Sequence, residues 1–312
     1  MNYLGIDVGG TSIKGAIVNE KGKIGEIFSL PIFKNEKQND AINRLIVSCK
    51  EYLKNTKTKI KGIGIGIPGT LNTKDGVVDY TSNLKWKKLH IVDMFSKEFD
   101  CPIKITNDAN AAALGEAKFG AGKKYKNIVM ITLGTGIGGG VIIDGKLFEG
   151  YLGKGTELGH TTLVYNGRKC GCGRRGCFEQ YASASALVRY TKEAMKEDKN
   201  SLMWQISKEE GEVNGKVAFF AAQKGDSSAK AVVKQYVEYL SEGLLNICNV
   251  FRPEAIVLSG GIANQGKYLT DKIKAYCEKY EYGYKYSPKT VIKVAELGYV
   301  SGIIGAACLL MK

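Results

Sequence analysis

The sequence predicts an α/β protein built from one structural unit that occurs twice. Stretches typical of strands alternate with stretches typical of helices, which is the pattern of α/β folds. A strand, a glycine-rich turn and a second strand open the chain, and the same order of features recurs from residue 128. The length of 312 residues is enough for two domains with a sizeable core.

The composition excludes fibrous and disordered classes of protein. Hydrophobic residues make up 44% of the chain and charged residues 24%, as in ordinary globular proteins. The longest strongly apolar stretches, residues 128–133 and 303–311, are far shorter than the ~20 residues that span a bilayer. No basic segment followed by an apolar run stands at the start, so the sequence predicts a cytoplasmic protein with no membrane partner.

The net charge of +14 raises the question of a nucleic-acid partner. Only six of the 45 basic residues are arginines, although arginine is the side chain that binds phosphates and base edges in a fixed geometry. We therefore attribute the charge to a general bias towards lysine and expect no nucleic-acid partner. The same charge would attract anionic ligands such as nucleotides.

Each element of the first half follows from a local pattern. Residues 3–7 and 13–18 are apolar runs joined by a turn that contains Gly9 and Gly10, which predicts paired strands. In residues 40–55 the apolar side chains recur at helical spacing. The other predicted elements are strands at residues 60–67 and 103–106, and an alanine-rich helix that opens at Asn107 and Asp108 and ends near residue 119.

The second half repeats the opening pattern. Residues 128–133 predict a buried strand, residues 134–140 a glycine-rich loop, and residues 141–143 the strand that follows. The other predicted elements are helices near residues 183–196, 216–224, 227–250 and 300–311, and a strand at residues 255–258. We interpret the repetition as an internal duplication. The two predicted domains are residues 1–118 plus 299–312 and residues 119–298.

The first glycine-rich turn has the composition of a phosphate site. Gly9 and Gly10 let the backbone approach a phosphate, and the backbone N–H groups can bind an anion. Thr11 supplies a hydroxyl, Lys14 a positive charge, and Asp7 a carboxylate that could hold Mg²⁺ through water. A plain hairpin turn with glycines at positive φ explains the same pattern. The spacing is not that of the P-loop.

The second glycine-rich loop strengthens the prediction of a nucleotide site. Gly134, Thr135 and Gly136 follow a strand, as the first turn does, and Gly260 and Gly261 follow a third strand. Two such loops in a duplicated chain favour nucleotide binding over two ordinary hairpins. A dinucleotide site is disfavoured, because the second loop leads into a strand rather than a helix.

Asn107 and Asp108 stand where a predicted strand ends and a predicted helix begins. An acid held rigidly at such a place can accept a proton from a hydroxyl that attacks a phosphate. An Asp at the start of a helix is also a common N-cap. The spacing alone leaves both roles open.

Three of the eight cysteines form a cluster. Cys170, Cys172 and Cys177 are close in the chain, and His160 precedes them. Three thiolates and one imidazole suit a closed, tetrahedral, structural zinc site. Three reduced thiols and a free histidine are the alternative. The other cysteines stand singly among apolar or mixed neighbours, which is typical of buried thiols.

Taken together, these segments resemble the ROK family of bacterial sugar kinases, within the hexokinase and actin-like superfamily of ribonuclease H-like folds. The resemblance extends from Asp7 to the last helix. Its motifs here are Asp7–Lys14, Ile65–Gly69, Thr106–Ala112, Leu133–Gly140, Glu157–His160, Cys170–Cys177 and Ser259–Gly261. The resemblance implies two domains with a central cleft, and ATP-dependent phosphorylation of a hexose with Mg²⁺ as cofactor and Zn²⁺ in a structural role.

The resemblance also implies roles for individual residues. Asp108 is the expected catalytic base. The expected sugar ligands are Asn83, Asn107, Asp108, Glu157, His160 and Glu179. The expected ligands of the nucleotide are Asp7, Gly9, Gly10, Thr11, Lys14, Gly134, Thr135 and Gly136, with Gly260 and Gly261 near the nucleoside. Considered alone, Glu157 and Glu179 are typical of exposed acids, and Asn83 is typical of a loop cap.

Phosphorylation of glucose at O6 is the expected reaction. Residues 83–86 and 177–183 resemble the corresponding segments of members that phosphorylate glucose. N-Acetylmannosamine is the second choice, because the pair Glu157 and His160 serves both groups of relatives. Members of the family commonly self-associate, so we expect a homodimer.

Two functions of other classes compete with this reaction. A sugar-sensing repressor would share the architecture, but such members carry an added DNA-binding domain and often lack the catalytic acid. Here the first predicted strand begins at Tyr3, and Asp108 is present. A zinc-dependent nucleic-acid binder would fit the charge and the cysteine cluster, but the scarcity of arginine argues against it.

Overall fold

The chain forms two compact units in a computed structural model that describes residues 1–33, 36–283 and 285–311. The first unit consists of Met1–Ile128, Gly140–Thr156 and Glu296–Lys312, and the second unit consists of Val129–Gly139 and Glu157–Ala295. The domain boundary near residue 118 stays a prediction. None of the helices in the described ranges combines the length and the hydrophobicity needed to cross a bilayer.

Strands and helices alternate along most of the described chain. The strands are β1 (Asn2–Val8), β2 (Ser12–Asn19), β3 (Phe28–Pro31), β4 (Ile63–Ile67), β5 (Thr70–Asn72), β6 (Val77–Tyr80), β7 (Lys87–Leu89), β8 (Ile103–Asn107), β9 (Ile128–Leu133), β10 (Ile137–Ile143), β11 (Lys146–Phe148), β12 (Ala255–Ser259) and β13 (Val291–Val294). The helices are α1 (Gln38–Thr56), α2 (Ile91–Ser96), α3 (Asp108–Phe119), α4 (Glu179–Ala182), α5 (Ala184–Glu197), α6 (Met203–Glu209), α7 (Val217–Gln223), α8 (Ser227–Phe251), α9 (Lys267–Tyr280) and α10 (Ser301–Cys308). Short 3₁₀ helices span Tyr151–Gly153, Leu158–His160, Gly261–Gln265 and Gly298–Val300.

The sheet of the first unit has the strand order β3-β2-β1-β4-β8. Strands β1, β2 and β3 are antiparallel neighbours, whereas β4 and β8 run parallel to β1. Asp7 on β1 lies opposite Gly66 on β4, and Gly66 lies opposite Thr106 on β8. The carboxyl ends of these three parallel strands therefore meet at one edge of the sheet, which is where ligands bind in open α/β sheets.

Helices α3 and α10 pack closely because glycine stands where larger side chains would not fit. A Cβ atom on Gly115 would lie 2.5 Å from the carbonyl oxygen of Ser301, and one on Gly305 would overlap the carbonyl oxygen of Ala111. Gly5 on β1 likewise leaves room for the backbone of α10. These glycines let both helices lie directly on the sheet and on each other.

A second five-stranded sheet has the order β11-β10-β9-β12-β13, which is the order of the first sheet with every strand replaced by its counterpart. Strands β10 and β11 are antiparallel and β12 and β13 are parallel, as are their counterparts in the first sheet. The predicted α/β class and the predicted duplication are confirmed. A three-stranded sheet of β5, β6 and β7 has no counterpart among the described strands.

Helix α8 organises the second unit. Its N-terminus is capped by Asp226, whose carboxylate accepts a hydrogen bond of 2.7 Å from the N–H of Ala229. Tyr236 is fully buried, and its hydroxyl donates to the carbonyl oxygen of Ala182 at 2.8 Å. Gly243 lies against the ring of Phe178, so the helix directly supports the segment that carries the last cysteine of the cluster.

Most predicted elements are present, with ends that differ by a few residues. The strand predicted at residues 128–133 is β9. The glycine-rich loop predicted at residues 134–140 is wrong in its second half, because Gly138, Gly139 and Gly140 belong to β10. Two of these glycines serve packing, since a Cβ atom on Gly139 would collide with Leu158 and one on Gly140 with α3.

Candidate active site

Asp7 is partly buried at the end of β1, against the start of α10. A Cβ atom on Gly302 would lie 2.7 Å from the carboxyl carbon of Asp7, so a side chain at this position would displace that carboxylate. Lys14 lies opposite Asp7 in the strand pair, and its ammonium is 5.4 Å from the ring centre of Tyr299. Burial, followed by the charge of Asp108, outweighs the opposing charge of Lys14 and raises the pKa of Asp7 to about 6. Such a carboxylate favours a nearby cation.

The turn between β1 and β2 exposes backbone that no side chain covers. Neither Gly9 nor Gly10 has a positive φ, so the explanation that the hairpin needs glycine for its conformation is wrong here. A Cβ atom on Gly9 would lie 3.0 Å from the carbonyl oxygen of Ser12, which makes Gly9 part of the tight turn. A Cβ atom on Gly10 would meet nothing nearer than the amide nitrogen of Asn83, at 3.9 Å. Gly10 therefore leaves open space over the backbone, beside the exposed Thr11.

Asn107 ends β8 and caps α3. Its Oδ1 accepts a hydrogen bond from the N–H of Ala109 at 2.9 Å, and its Nδ2 donates to the carbonyl oxygen of Gly69 at 3.2 Å. The amide keeps one hydrogen and one lone pair for a ligand. The capping role that the sequence left open for Asp108 thus belongs to its neighbour.

Asp108 is the first residue of α3 and is partly buried. A Cβ atom on Gly66 would lie 3.7 Å from the Cα of Asp108, so the helix starts directly on strand β4. Burial raises the pKa of Asp108, and hydrogen bonds from backbone N–H groups, including that of Ala109, only partly offset this. A rigid carboxylate with a raised pKa is suited to accept a proton from an alcohol.

Two polar side chains of the first unit were not singled out in the sequence. Glu149, just after β11, accepts a hydrogen bond of 2.5 Å from the hydroxyl of Thr106, next to Asn107, and burial raises its pKa. Asn110 on α3 is fully buried, and its Nδ2 has no partner in the structure. Local sequence carries no signal for either residue, because both face segments that are distant in the chain.

The loop Gly134–Gly136 joins β9 to β10. The N–H of Gly134 donates to the carbonyl oxygen of Gly136 at 3.1 Å, and the carbonyl oxygen of Gly134 accepts from the N–H of Ala184 at 2.9 Å. Neither glycine has a positive φ, and a Cβ atom on Gly134 would meet nothing nearer than 4.0 Å. The backbone before the exposed Thr135 is therefore as open as the backbone at Gly10.

Gly260 and Gly261 differ in why they are glycines. Gly260 adopts a φ of 91°, and a Cβ atom there would crowd the backbone of Leu133, so the fold itself requires glycine. Gly261 opens the 3₁₀ helix Gly261–Gln265, and its Cβ position faces open space. Packing and backbone conformation therefore do not explain the glycine at Gly261.

Glu179 opens α4 and touches both the second glycine loop and the cysteine cluster. A Cβ atom on Gly136 would lie 2.7 Å from one of its carboxylate oxygens. The other oxygen lies 3.0 Å from Sγ of Cys170 and 3.8 Å from Nδ1 of His160. His160 ends the 3₁₀ helix that directly follows the exposed Glu157. The second unit thus brings Glu179 and His160 together beside the glycine loop.

The ligand atoms of His160, Cys170, Cys172 and Cys177 all lie within 4.8 Å of one another. Nδ1 of His160 is 3.6 Å from Sγ of Cys170, and the sulfurs of Cys172 and Cys177 are 3.6 Å apart. A tetrahedron with Zn–S bonds of about 2.3 Å has edges of about 3.8 Å, so this donor set fits a tetrahedral zinc ion. Because Nδ1 of His160 faces the cluster, Nε2 is the nitrogen left for another partner.

The two five-stranded sheets have the same strand order, and in each of them open glycine backbone follows the first long strand. This is the duplicated fold of the actin-like ATPases. Asp7 and Asp108, at the carboxyl ends of parallel strands, are acids of the kind that phosphate transfer to a small molecule can use. The sequence pattern of the ROK family matches residues 3–312, and the chain belongs to that family.

Individual relatives match nearly the whole chain. The glucokinase of Streptomyces coelicolor is 34% identical over 307 residues, which cover 97% of this chain and 96% of the relative. The crystal structure of a ROK family glucokinase from Streptomyces griseus in complex with glucose and AMPPNP has 32% identity and a TM-score of 0.82 and covers 99% of each chain. A xylose repressor of Caldicellulosiruptor bescii is 31% identical over 278 residues, which are 88% of this chain and 69% of the repressor.

Proposed function

We propose that this protein is an ATP-dependent hexose kinase that phosphorylates glucose at O6. The observation that carries the proposal is the partly buried carboxylate of Asp108 at the start of α3, in the same unit as Asp7 and the open backbone at Gly10. Two glucokinases that match almost the whole chain, at 34% and 32% identity, support glucose as the sugar.

Asp108 is the proposed catalytic base. It accepts the proton of the sugar O6 hydroxyl while that oxygen attacks the γ-phosphorus of ATP. The new O–P bond forms as the bond from the γ-phosphorus to the β,γ-bridging oxygen breaks, so the products are glucose 6-phosphate and ADP. The raised pKa makes Asp108 a stronger base than an ordinary carboxylate.

Open backbone and one acid form the proposed nucleotide site. Asp7 would hold Mg²⁺ through water, and bound Mg²⁺ would neutralise charge on the phosphates. A phosphate must come close to the backbone to accept hydrogen bonds from its N–H groups. Gly10 and Gly134 permit this approach because glycine has no side chain. The proposed phosphate ligands are Gly9, Gly10, Thr11, Lys14, Gly134, Thr135 and Gly136, with Gly260 and Gly261 beside the nucleoside.

Carboxylates and amides suit a sugar because each can bond to more than one hydroxyl. Asn107 keeps one donor and one acceptor after capping α3, and His160 keeps Nε2. The proposed sugar ligands are Asn83, Asn107, Asp108, Glu157, His160 and Glu179.

We propose that the cysteine cluster holds a structural zinc ion. Four protein ligands close the coordination sphere, which leaves no position for a substrate. The ion would fix His160 and the turn that leads to Glu179, so it would act on the sugar site through two side chains.

The proposal has three further parts: the protein is a homodimer, it is cytoplasmic, and it has no nucleic-acid partner. The last of these rests on the small number of arginines.

Steady-state kinetics with glucose and with N-acetylmannosamine test the choice of sugar. The acetamido group at C2 is larger than a hydroxyl, so a site closed around glucose excludes it. A site built for the amide would leave polar groups unpaired with glucose, at about 1–3 kcal/mol, or roughly ten- to a hundredfold. We expect the higher kcat/KM on glucose, with phosphorus NMR locating the phosphate on O6.

The same measurements separate the competing functions. A kcat/KM on N-acetylmannosamine more than about tenfold above that on glucose would overturn the choice of glucose and leave the kinase assignment intact. Binding of a sugar without consumption of ATP, over a panel of hexoses, would instead support the sugar-sensing class to which the xylose repressor belongs.

A further inference from the structure

Asn110 and Thr156 form a pair that the proposed reaction does not use. Asn110 lies on α3, two residues after Asp108, and its side-chain amide is 3.2 Å from Oγ1 of Thr156. Thr156 directly precedes Glu157 in the chain. The pair thus joins the helix of the proposed base to the segment that leads into a proposed sugar ligand.

Thr156 has a backbone conformation that β-branched residues rarely adopt. Its φ is 62°, in the left-handed region. A β-branched residue in this region is a genuine outlier and persists only where surrounding contacts hold it. Gly150, Leu152 and Gly153 also have positive φ, so the approach to Glu157 is shaped by several left-handed residues.

Hydrogen-bond accounting shows how Asn110 holds Thr156. A hydroxyl has a single hydrogen and can donate to one acceptor only. The carbonyl oxygen of Gly155, at 2.7 Å from Oγ1 of Thr156, is the nearer acceptor. The amide of Asn110 then fits best with Nδ2 donating to Oγ1, because Nδ2 is the buried atom that lacks a partner in the opposite orientation. The bonds then run in one direction from Asn110 through Thr156 to Gly155.

We infer that Asn110 is a positioning residue for Glu157, acting through Thr156, an inference that rests on the function proposed above. Asn110 is fixed by burial in α3, so its amide is a rigid anchor for the hydroxyl of Thr156. Holding Thr156 in the left-handed conformation fixes the backbone from which Glu157 begins. The direction in which Glu157 offers its carboxylate to the sugar then depends on the buried amide of Asn110.

Two substitutions of Thr156 distinguish the effect of its hydroxyl from the effect of its side-chain shape. Thr156→Val keeps the branched shape and removes the hydroxyl, whereas Thr156→Ser keeps the hydroxyl. We expect Thr156→Val to raise KM for glucose about fivefold, the equivalent of one hydrogen bond, with KM for ATP unchanged. Thr156→Ser should restore KM for glucose. Thr56→Val, at an exposed threonine of α1, is the matched control.

A double-mutant cycle tests whether Asn110 acts through Thr156. Asn110→Ala should raise KM for glucose. Adding Thr156→Val should raise KM no further, because both substitutions remove the same hydrogen bond between Asn110 and Thr156. An unchanged KM for glucose in Thr156→Val, or additive effects in the cycle, would overturn the inference. A wild-type protein that phosphorylates no hexose would overturn the proposed function instead, and calorimetric titration of the same variants with glucose would still test the pair.

Discussion

At the scale of single residues, the local sequence does not decide whether Asp108 caps helix α3 or is the proposed base, and the structure gives the cap to Asn107. Asn107 has an extended backbone, with a ψ of 148°, and caps the helix, as residues just before a helix do. Asp108 already belongs to the first turn, and the same strand end makes it partly buried beside the sheet. Asn107 therefore caps the helix, and Asp108 is the residue that we propose as the catalytic base.

Asp108→Asn tests the proposed base. The substitution keeps the size of the side chain and removes the oxygen that accepts the proton, so kcat should fall by roughly 10²-fold or more. KM for glucose should change much less, because an amide still bonds to a hydroxyl. Asp144→Asn, at an exposed turn, is the control and should keep full activity. Near-normal turnover of Asp108→Asn at neutral pH would mean that another group is the base.

Asp7 should make the unfolding free energy depend on pH. Its pKa is about 6 in the folded protein and 3.8 ordinarily, so between these pH values the folded state holds a proton that the unfolded state has lost. The contribution of Asp7 to the free energy of unfolding is therefore complete below about pH 4. It is lost as pH rises to about 6, which lowers the free energy of unfolding by on the order of 3 kcal/mol.

Chemical denaturation from pH 4 to 7, without Mg²⁺ or nucleotide, measures this effect. Asp7→Asn cannot titrate, so the fall in stability over that range should be smaller by the contribution of Asp7. Equal pH profiles for the wild type and Asp7→Asn would show that Asp7 is not perturbed by burial.

At the scale of elements, glycines serve two purposes that sequence does not distinguish. Gly115 and Gly305 bring α3 and α10 into contact, and Gly139 and Gly140 bring neighbours onto β10. Gly10 and Gly134 touch nothing that demands glycine. The first kind builds the scaffold, and the second kind leaves open space in which we propose that the nucleotide binds.

Gly305→Ala should destabilise the protein. Helix propensity alone predicts a gain of about 1 kcal/mol for alanine over glycine. A methyl group at this position would overlap the carbonyl oxygen of Ala111, so the packing of α3 and α10 must open. We expect a lower melting temperature, with a loss of about 1–3 kcal/mol. Gly25→Ala, whose Cβ would have ordinary contacts at 3.5 Å, should be tolerated. A stabilised Gly305→Ala variant would show that propensity dominates.

The segment from His160 to Cys177 should bind about one zinc ion per chain. Cys172→Ser removes one of the four ligands, so zinc content and melting temperature should fall together. Elemental analysis and thermal unfolding of protein purified without chelator measure both. Cys101→Ser, outside the cluster, should keep its zinc. Full zinc occupancy in Cys172→Ser would mean that the ligand set is different.

At the scale of the whole molecule, duplication explains why open glycine backbone occurs in both halves. Each five-stranded sheet has the same order, and each has a loop between its first long strand and the next. The two copies differ in the polar groups that they carry. The first has acids at its parallel strand ends, and the second has the cysteine cluster.

The elements that were not predicted from the sequence have few buried apolar residues. Helix α9 was not predicted, because its apolar side chains form a thin stripe, with Leu269, Ile273 and Cys277 among charged and tyrosine residues. Strands β5, β7 and β11 are three residues long and give too few positions for a period of two to be seen. The helix was missed because its apolar stripe is narrow, and the strands were missed because they are short.

By itself, the sequence determined the α/β class, the duplication, the family and the candidate ligands of nucleotide and metal. These follow from patterns that are local in the chain, such as a strand before a glycine turn or cysteines a few residues apart. Tertiary structure alone decided which of two neighbours caps α3, which glycines are open, and which acids have raised pKa values. It also decided the contact of Asn110 with Thr156. Burial and contact depend on residues far apart in the chain, and no local pattern records them.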